Sequence, residues 1–234
     1  MTFNYTVLIY IFPIILFGFF NWRLFKIFLR QKTFFSKYFF LGFFILWLFY
    51  LITTIICLFF AYSPAALRLA VIEAIALQTL AGIFLAIAIF PLKLSVIILK
   101  LEIGFIIVLT LIVEILYWVS PSYPVLEINN FINWNLPLEI GIIRALILFS
   151  IFFPTLVIFF KQSKLLEKTA KRKIILFELL VIGVLISTTI TLLLKGRPVG
   201  EVIQTISFTL LIAPLAFWPQ SKNVERSKIT KENT

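Results

Sequence analysis

Seven long apolar runs, separated by short polar connections, occupy the chain from Tyr5 to Trp218. A continuous apolar run of about 20 residues is what an α-helix needs to cross the hydrocarbon core of a bilayer. The pattern therefore predicts an all-α polytopic membrane protein, a bundle of seven transmembrane helices over about residues 5–20, 38–61, 66–90, 95–117, 137–160, 174–194 and 201–218. The polar remainder, 219–234, is expected to be a disordered tail. The spans and their links take up the length, so no separate soluble domain is expected. The first run lacks a basic lead-in and a small-residue cleavage site, and it reads as a retained helix rather than a signal peptide.

The runs differ in character. The second is nearly all bulky and apolar and is expected to face lipid, as are most of the 28 phenylalanines. The third places Ala70, Ala74, Gln78, Ala81 and Ala88 close to one face at helical spacing. Small residues let neighbouring backbones approach in a membrane, so this span belongs at the centre of the bundle, with Gln78 hydrogen-bonded to a neighbour. Pro13, Pro154 and Pro214 fall inside spans, where a membrane helix tolerates them with a kink. Asn21–Lys37 mixes cations with aromatics and reads as an interfacial segment. The connection Trp118–Leu138, rich in Trp, Tyr and Pro, reads as a short amphipathic piece lying across the mouth of the bundle.

Charge sets the orientation. Of 21 Lys and Arg, 17 fall in alternate connections and in the tail: Arg23–Lys37, Lys93 with Lys100, Lys161–Lys173 and the residues from Lys222. Arg68, Lys195 and Arg197 fall in the opposite set, and the 22 residues Tyr117–Leu138 contain neither Lys nor Arg. Basic connections stay on the cytoplasmic side, which predicts the N-terminus outside, the C-terminus inside and a cell membrane, of the bacterial inner type, as the location. The net charge of +11 is thereby an address rather than a nucleic-acid footprint, and the expected partner of the basic connections is anionic lipid.

The chain has one Cys, no His and no Asp. That removes His-based metal ligation and the Ser-His-Asp and Cys-His arrangements, and no cofactor or metal is expected. A lysine is also missing from Val202–Phe217, so a retinal Schiff base cannot form in the last span. The remaining signal is a layer of polar residues in the outer halves of spans 3 to 7: Glu73 and Gln78, Glu114, Arg144, Thr188 with Thr191, and Gln204 with Thr205. Ionisable residues inside a span face the bundle interior. The functional reading is an outward-facing ligand pocket with Arg144 as cation and Glu73 or Glu114 as carboxylate. The structural reading has Arg144 paired with one Glu, holding spans 4 and 5 together. Near the inner ends, Lys100, Glu102 and Glu178 are expected to pair locally.

Two resemblances bear on function. Leu136-Pro-Leu-Glu139 resembles a helix start in membrane carotenoid cyclases of the lycopene cyclase domain family, although Ile140 stands where a second acidic residue is expected. Pro and Glu in a first helical turn are also ordinary helix-start chemistry, and the chain is read as non-enzymatic. The second half, with Arg144, the basic run Lys171-Arg-Lys173, the opening Lys173-Ile-Ile-Leu and Gly183, resembles the seven-helix sensor modules that precede some bacterial histidine kinases. That resemblance implies ligand sensing in or beside the membrane. No kinase domain follows Trp218, so signalling is expected to pass through a membrane or cytoplasmic partner. The alternatives are a small-molecule transporter in which spans 1–3 repeat as 5–7, and an accessory subunit packed through spans 1 and 2. On the expected topology, a membrane-impermeant amine reagent applied to intact cells should modify Lys195 and spare Lys231 until lysis; the reverse order would invert the pocket's sidedness.

Overall fold

The computed structural model describes residues 4–92, 95–163 and 168–193, with 199–200, 202–203 and 205–206. Most of the span expected over 201–218, and the whole tail, lie outside the described residues. Six long helices run in order: α1 Tyr5–Gln31, α2 Phe34–Phe59, α3 Pro64–Ile89, α4 Val96–Val119, α5 Leu138–Ser163 and α6 Lys168–Leu193. Among the described residues, α1 to α5 are long and apolar enough to cross a membrane. The chain is a multi-pass helical membrane protein.

The first helix does not stop near Phe20. It continues to Gln31, and only Lys32-Thr33 separates it from α2. Nothing in Asn21–Gln31 breaks a helix, and Asn21 is not a stop signal because its side chain is spent between helices, donating to the carbonyl of Phe43 at 3.0 Å. The turn itself has its own chemistry. Lys32 takes a left-handed conformation (φ 49°), and its N–H bonds the carbonyl of Phe28. Thr33 then caps α2 by accepting from the N–H of Ser36.

One face of α2 packs into the bundle, while Ile55, Leu58 and Phe59 stay exposed, as a lipid-facing side requires. The α1–α2 pair is held by interleaved rings: Phe17 lies against Phe43 and Tyr50, Phe20 against Phe43, and Tyr10 against Tyr50, with centroids 4.9–6.2 Å apart. Each such pair contributes about 0.5–1.5 kcal/mol beyond the area it buries. Trp47 adds a polar tie, donating to the carbonyl of Ile14 at 3.0 Å.

At the centre stands α3, which packs against α2, α4 and α5 and has the largest buried share of the five spans. Its small residues explain this. A Cβ added to Gly42 of α2 would lie 2.7 Å from Cγ of Leu85 and 3.1 Å from the carbonyl oxygen of Ala81. One added to Gly82 would meet Ile151 of α5. The backbones of α2, α3 and α5 are therefore as close as the missing methyl groups permit.

Between α4 and α5 the connection is a two-stranded antiparallel hairpin rather than a helical piece. Val125–Leu126 (β1) pairs with Ile132–Asn133 (β2). A β-turn over Glu127–Asn130 closes it, with Asn130 left-handed at φ 62°, a conformation Asn tolerates. The hairpin reaches into the bundle: Ile132, Trp134 and Leu136 are buried in the same core as Tyr10, Tyr117 and Ile140. It is tied to the start of α1, where the N–H of Tyr5 bonds the carbonyl of Asn130 and Thr6 Oγ1 accepts from the N–H of Ile132. Asn4, which caps α1, also donates to the carbonyl of Cys57 at the end of α2. One end of the bundle is thus sealed by the hairpin and is called the hairpin end below.

Close approach of α2 and α3 has a measurable signature. Gly42→Ala should destabilise the protein by about 1–3 kcal/mol through overpacking. Gly104→Ala, at a position with nothing within 4 Å, should be neutral or slightly stabilising because Ala is the better helix former. Thermal unfolding of both variants in one detergent checks the contrast.

Candidate functional site

Two cations lie inside the bundle, and the fold treats them differently. Arg144 projects from the second turn of α5 and is half-buried. Its Nη2 donates to Oε1 of Gln78 on α3 at 2.6 Å. The phenols of Tyr117 and Tyr10 are close enough to feel its charge. Among the described residues it forms no ion pair with a carboxylate: Glu73 and Glu114 are half-buried, and neither reaches it. The expected Arg–Glu pair is therefore replaced by an arginine held by a neutral amide.

Depth explains the substitution of partner. Gln78 lies about 21 Å along α3 from its first residue, whereas Arg144 lies only about 9 Å along α5. Their hydrogen bond puts them at one level, so α5 begins roughly 10 Å deeper than α3, with the length of the arginine side chain taking up part of the offset. The hairpin occupies the recess this leaves. Reckoning depth from each helix's own start places Arg144 too near the surface and matches it to Glu73, which is five residues, or about 7.5 Å, short of the true level.

Beside this pair, Thr79 meets Thr110 of α4 across 3.2 Å, and Thr110 also donates to the carbonyl of Ile106. Adjacent residues of α3 thus join it to α5 and to α4. The space bounded by Gln78, Thr79, Arg144 and the apolar Ile75, Ile147 and Leu148 is about 10 Å³, close to the room one water molecule needs. Tyr117 is 0% exposed, and among the described residues its hydroxyl has no hydrogen-bond partner. The centre therefore holds one positive charge, one amide and the hydroxyl of Thr79.

The other candidate residues do not join this centre in any described contact. Thr191 donates to the carbonyl of Gly200 at 2.8 Å, and a Cβ on Gly200 would collide with it, so Thr191 fastens the chain that follows α6. Thr188 and Thr205 are buried. Gln204 lies outside the described residues.

Arg68, in the second turn of α3, received no site role from the sequence. It is only 8% exposed. Its Nη2 donates to the carbonyls of Tyr117 and Ser120, at 2.6 and 2.8 Å, and to that of Trp118. The end of an α-helix leaves carbonyls without intrahelical donors, and Arg68 satisfies those of α4 from a neighbouring helix. Its guanidinium also lies 4.5 Å from the ring centroid of Tyr123 and within 6 Å of those of Tyr117 and Trp118. Next to it opens a cleft of about 330 Å³ lined by Ala65, Arg68, Leu69, Trp118 and Tyr123. The signal in the sequence was a lone cation one turn into an apolar run, in a chain whose other end-of-span aromatics cluster at 117, 118 and 123.

No protein-family model, curated protein or solved structure matches the chain.

Function must therefore be argued from the site itself. The Arg144–Gln78 bond can be tested first. Gln78→Leu should cost about 1–3 kcal/mol by leaving a buried charge short of a partner. Adding Arg144→Met should recover part of that loss, giving a double-mutant cycle that departs from additivity by more than about 0.5 kcal/mol. Equilibrium unfolding of the three variants measures it.

Proposed function

We propose that this chain is a membrane-embedded, receptor-like sensor that recognises a small acidic ligand at Arg144 and hands the event to a partner protein, without catalysing a reaction. The observation that supports this most directly is the pairing of Arg144 with neutral Gln78. A cation inside a span is costly and is retained where it meets a charge or a ligand. Here its described hydrogen-bond partner is an amide, and the space beside it is lined by the hydroxyl of Thr79 and apolar side chains, leaving the charge available to a carboxylate or phosphate. The hydroxyl of Tyr117, without a hydrogen-bond partner among the described residues, lies within electrostatic range of it. In the orientation indicated by the loop charges, this centre lies beneath the exterior face.

A space of about 10 Å³ beside Arg144 is far below the roughly 300 Å³ of a ligand pocket. Binding on this reading requires α3 and α5 to part, so the protein has two packings and the ligand favours the open one. A ligand shifts such an equilibrium only by its difference in affinity for the two. Pro154 gives α5 a means to respond, because a proline leaves the carbonyl four residues earlier, that of Ser150, without its helical donor. Movement there reaches the exposed Lys161 and Lys171, where anionic lipid and a signalling partner would read it. A transporter has less support, since fully buried Phe17, Ile106, Val113 and Ile151 fill the interior.

Thermal unfolding of the purified chain against a panel of small carboxylates and phosphate esters tests the reading. At least one should raise the unfolding temperature of the wild type, and Arg144→Leu should remain folded and lose the response. A response that survives Arg144→Leu, or a variant that only unfolds, would leave Arg144 as a packing residue and remove the proposal.

A further inference from the structure

The cleft beside Arg68 is separate from the Arg144 centre and has its own chemistry. Arg68 uses a single nitrogen, Nη2, for its three carbonyl bonds. Its Nε is enclosed without a partner, and Nη1 makes no hydrogen bond and is not enclosed. Among the described residues two of the three guanidinium nitrogens are therefore unspent on a side chain more than nine-tenths buried, and of these Nη1 is the one within reach of a ligand. Among the described residues no carboxylate pairs with Arg68. The first turn of α3 also borders the cleft through Ala65, and a helix start favours negative charge.

The walls are apolar and open. Leu69 is 55% and Trp118 61% exposed, and Tyr123 presents its ring to the guanidinium. Arg68 lies about 6 Å along α3 from its first residue, and Trp118 is next to the last residue of α4. Both are at the ends of apolar spans, the level at which aromatic rings meet lipid headgroups. The cleft thus combines an arginine suited to phosphate with side walls suited to acyl chains, at headgroup depth. We propose that it is a binding site for the phosphate of an anionic membrane lipid, with Arg68 holding the phosphate and Leu69 and Trp118 lying along the first acyl carbons.

The chemistry recognised is a phosphate, which could arrive on a lipid or as the free ion; the exposed apolar walls favour the lipid. The full chain, stripped of lipid in mild detergent, is titrated with phosphatidylglycerol and with a glucosyl-diacylglycerol of the same acyl chains, which carries no phosphate, and followed by native mass spectrometry. Phosphatidylglycerol should be retained about ten-fold more tightly, the step expected of one charge-assisted hydrogen bond. Ala65→Trp fills the cleft while leaving the guanidinium and its carbonyls in place, and it should lose the preference without lowering the unfolding temperature by more than a few degrees. Leu69→Trp serves the same purpose from the other wall. Excess inorganic phosphate should leave the retained lipid in place. Displacement of the lipid by phosphate would assign the site to the free ion and overturn the proposal, as would equal retention of the two lipids or a preference that survives both variants.

Discussion

Inside a bilayer a polar group has no solvent to turn to, and α3 is where this chain meets that constraint. Its glycine and alanines bring three other helices close enough for short side chains to reach across. Gln78 then finds Arg144, Thr79 finds Thr110, and Arg68 finds the open carbonyls of α4. Each bond depends on the close approach. Widening the α2–α3 gap by a methyl group would also move the face that carries them, so packing and polar pairing in this bundle are one problem.

The two arginines show two solutions to burying a cation. Arg68 is matched by carbonyl dipoles and ringed by aromatic faces, which spreads its charge near the end of the bundle. Arg144 lies further from that end and is held by the amide of Gln78. A guanidinium can serve in both places because it keeps its charge and offers five donors in a plane; a lysine could occupy neither without losing part of the arrangement.

Much of the architecture was legible in the runs of apolar residues, because the length needed to cross a membrane is a strict requirement. Segment ends were less legible. Asn21, Arg23 and Lys26 look like a break, but they lie within α1, since a helix can carry polar residues along its surface wherever a neighbour or headgroup receives them. The central place of α3 could be read from Ala70, Ala74, Ala81 and Ala88, whereas the partner of Arg144 could not. Sequence distance measures depth along one helix and says nothing of the offset between two. The hairpin was visible in principle as Asn129-Asn130 between Val125-Leu126 and Ile132-Asn133, but two-residue strands leave little alternation to detect. Arg68 was hidden because its partners are backbone carbonyls, which carry no sequence signature.

The bond between Thr6 and Ile132 joins residues 126 positions apart. During synthesis α1 enters the membrane long before its capping hairpin exists, so the start of the chain must wait for more than half of the protein to be made before its polar contacts are complete. Sealing of that end is accordingly a late event in assembly. A chain interrupted before residue 132 would hold its first four helices in the bilayer yet lack the clasp that closes over the start of the first.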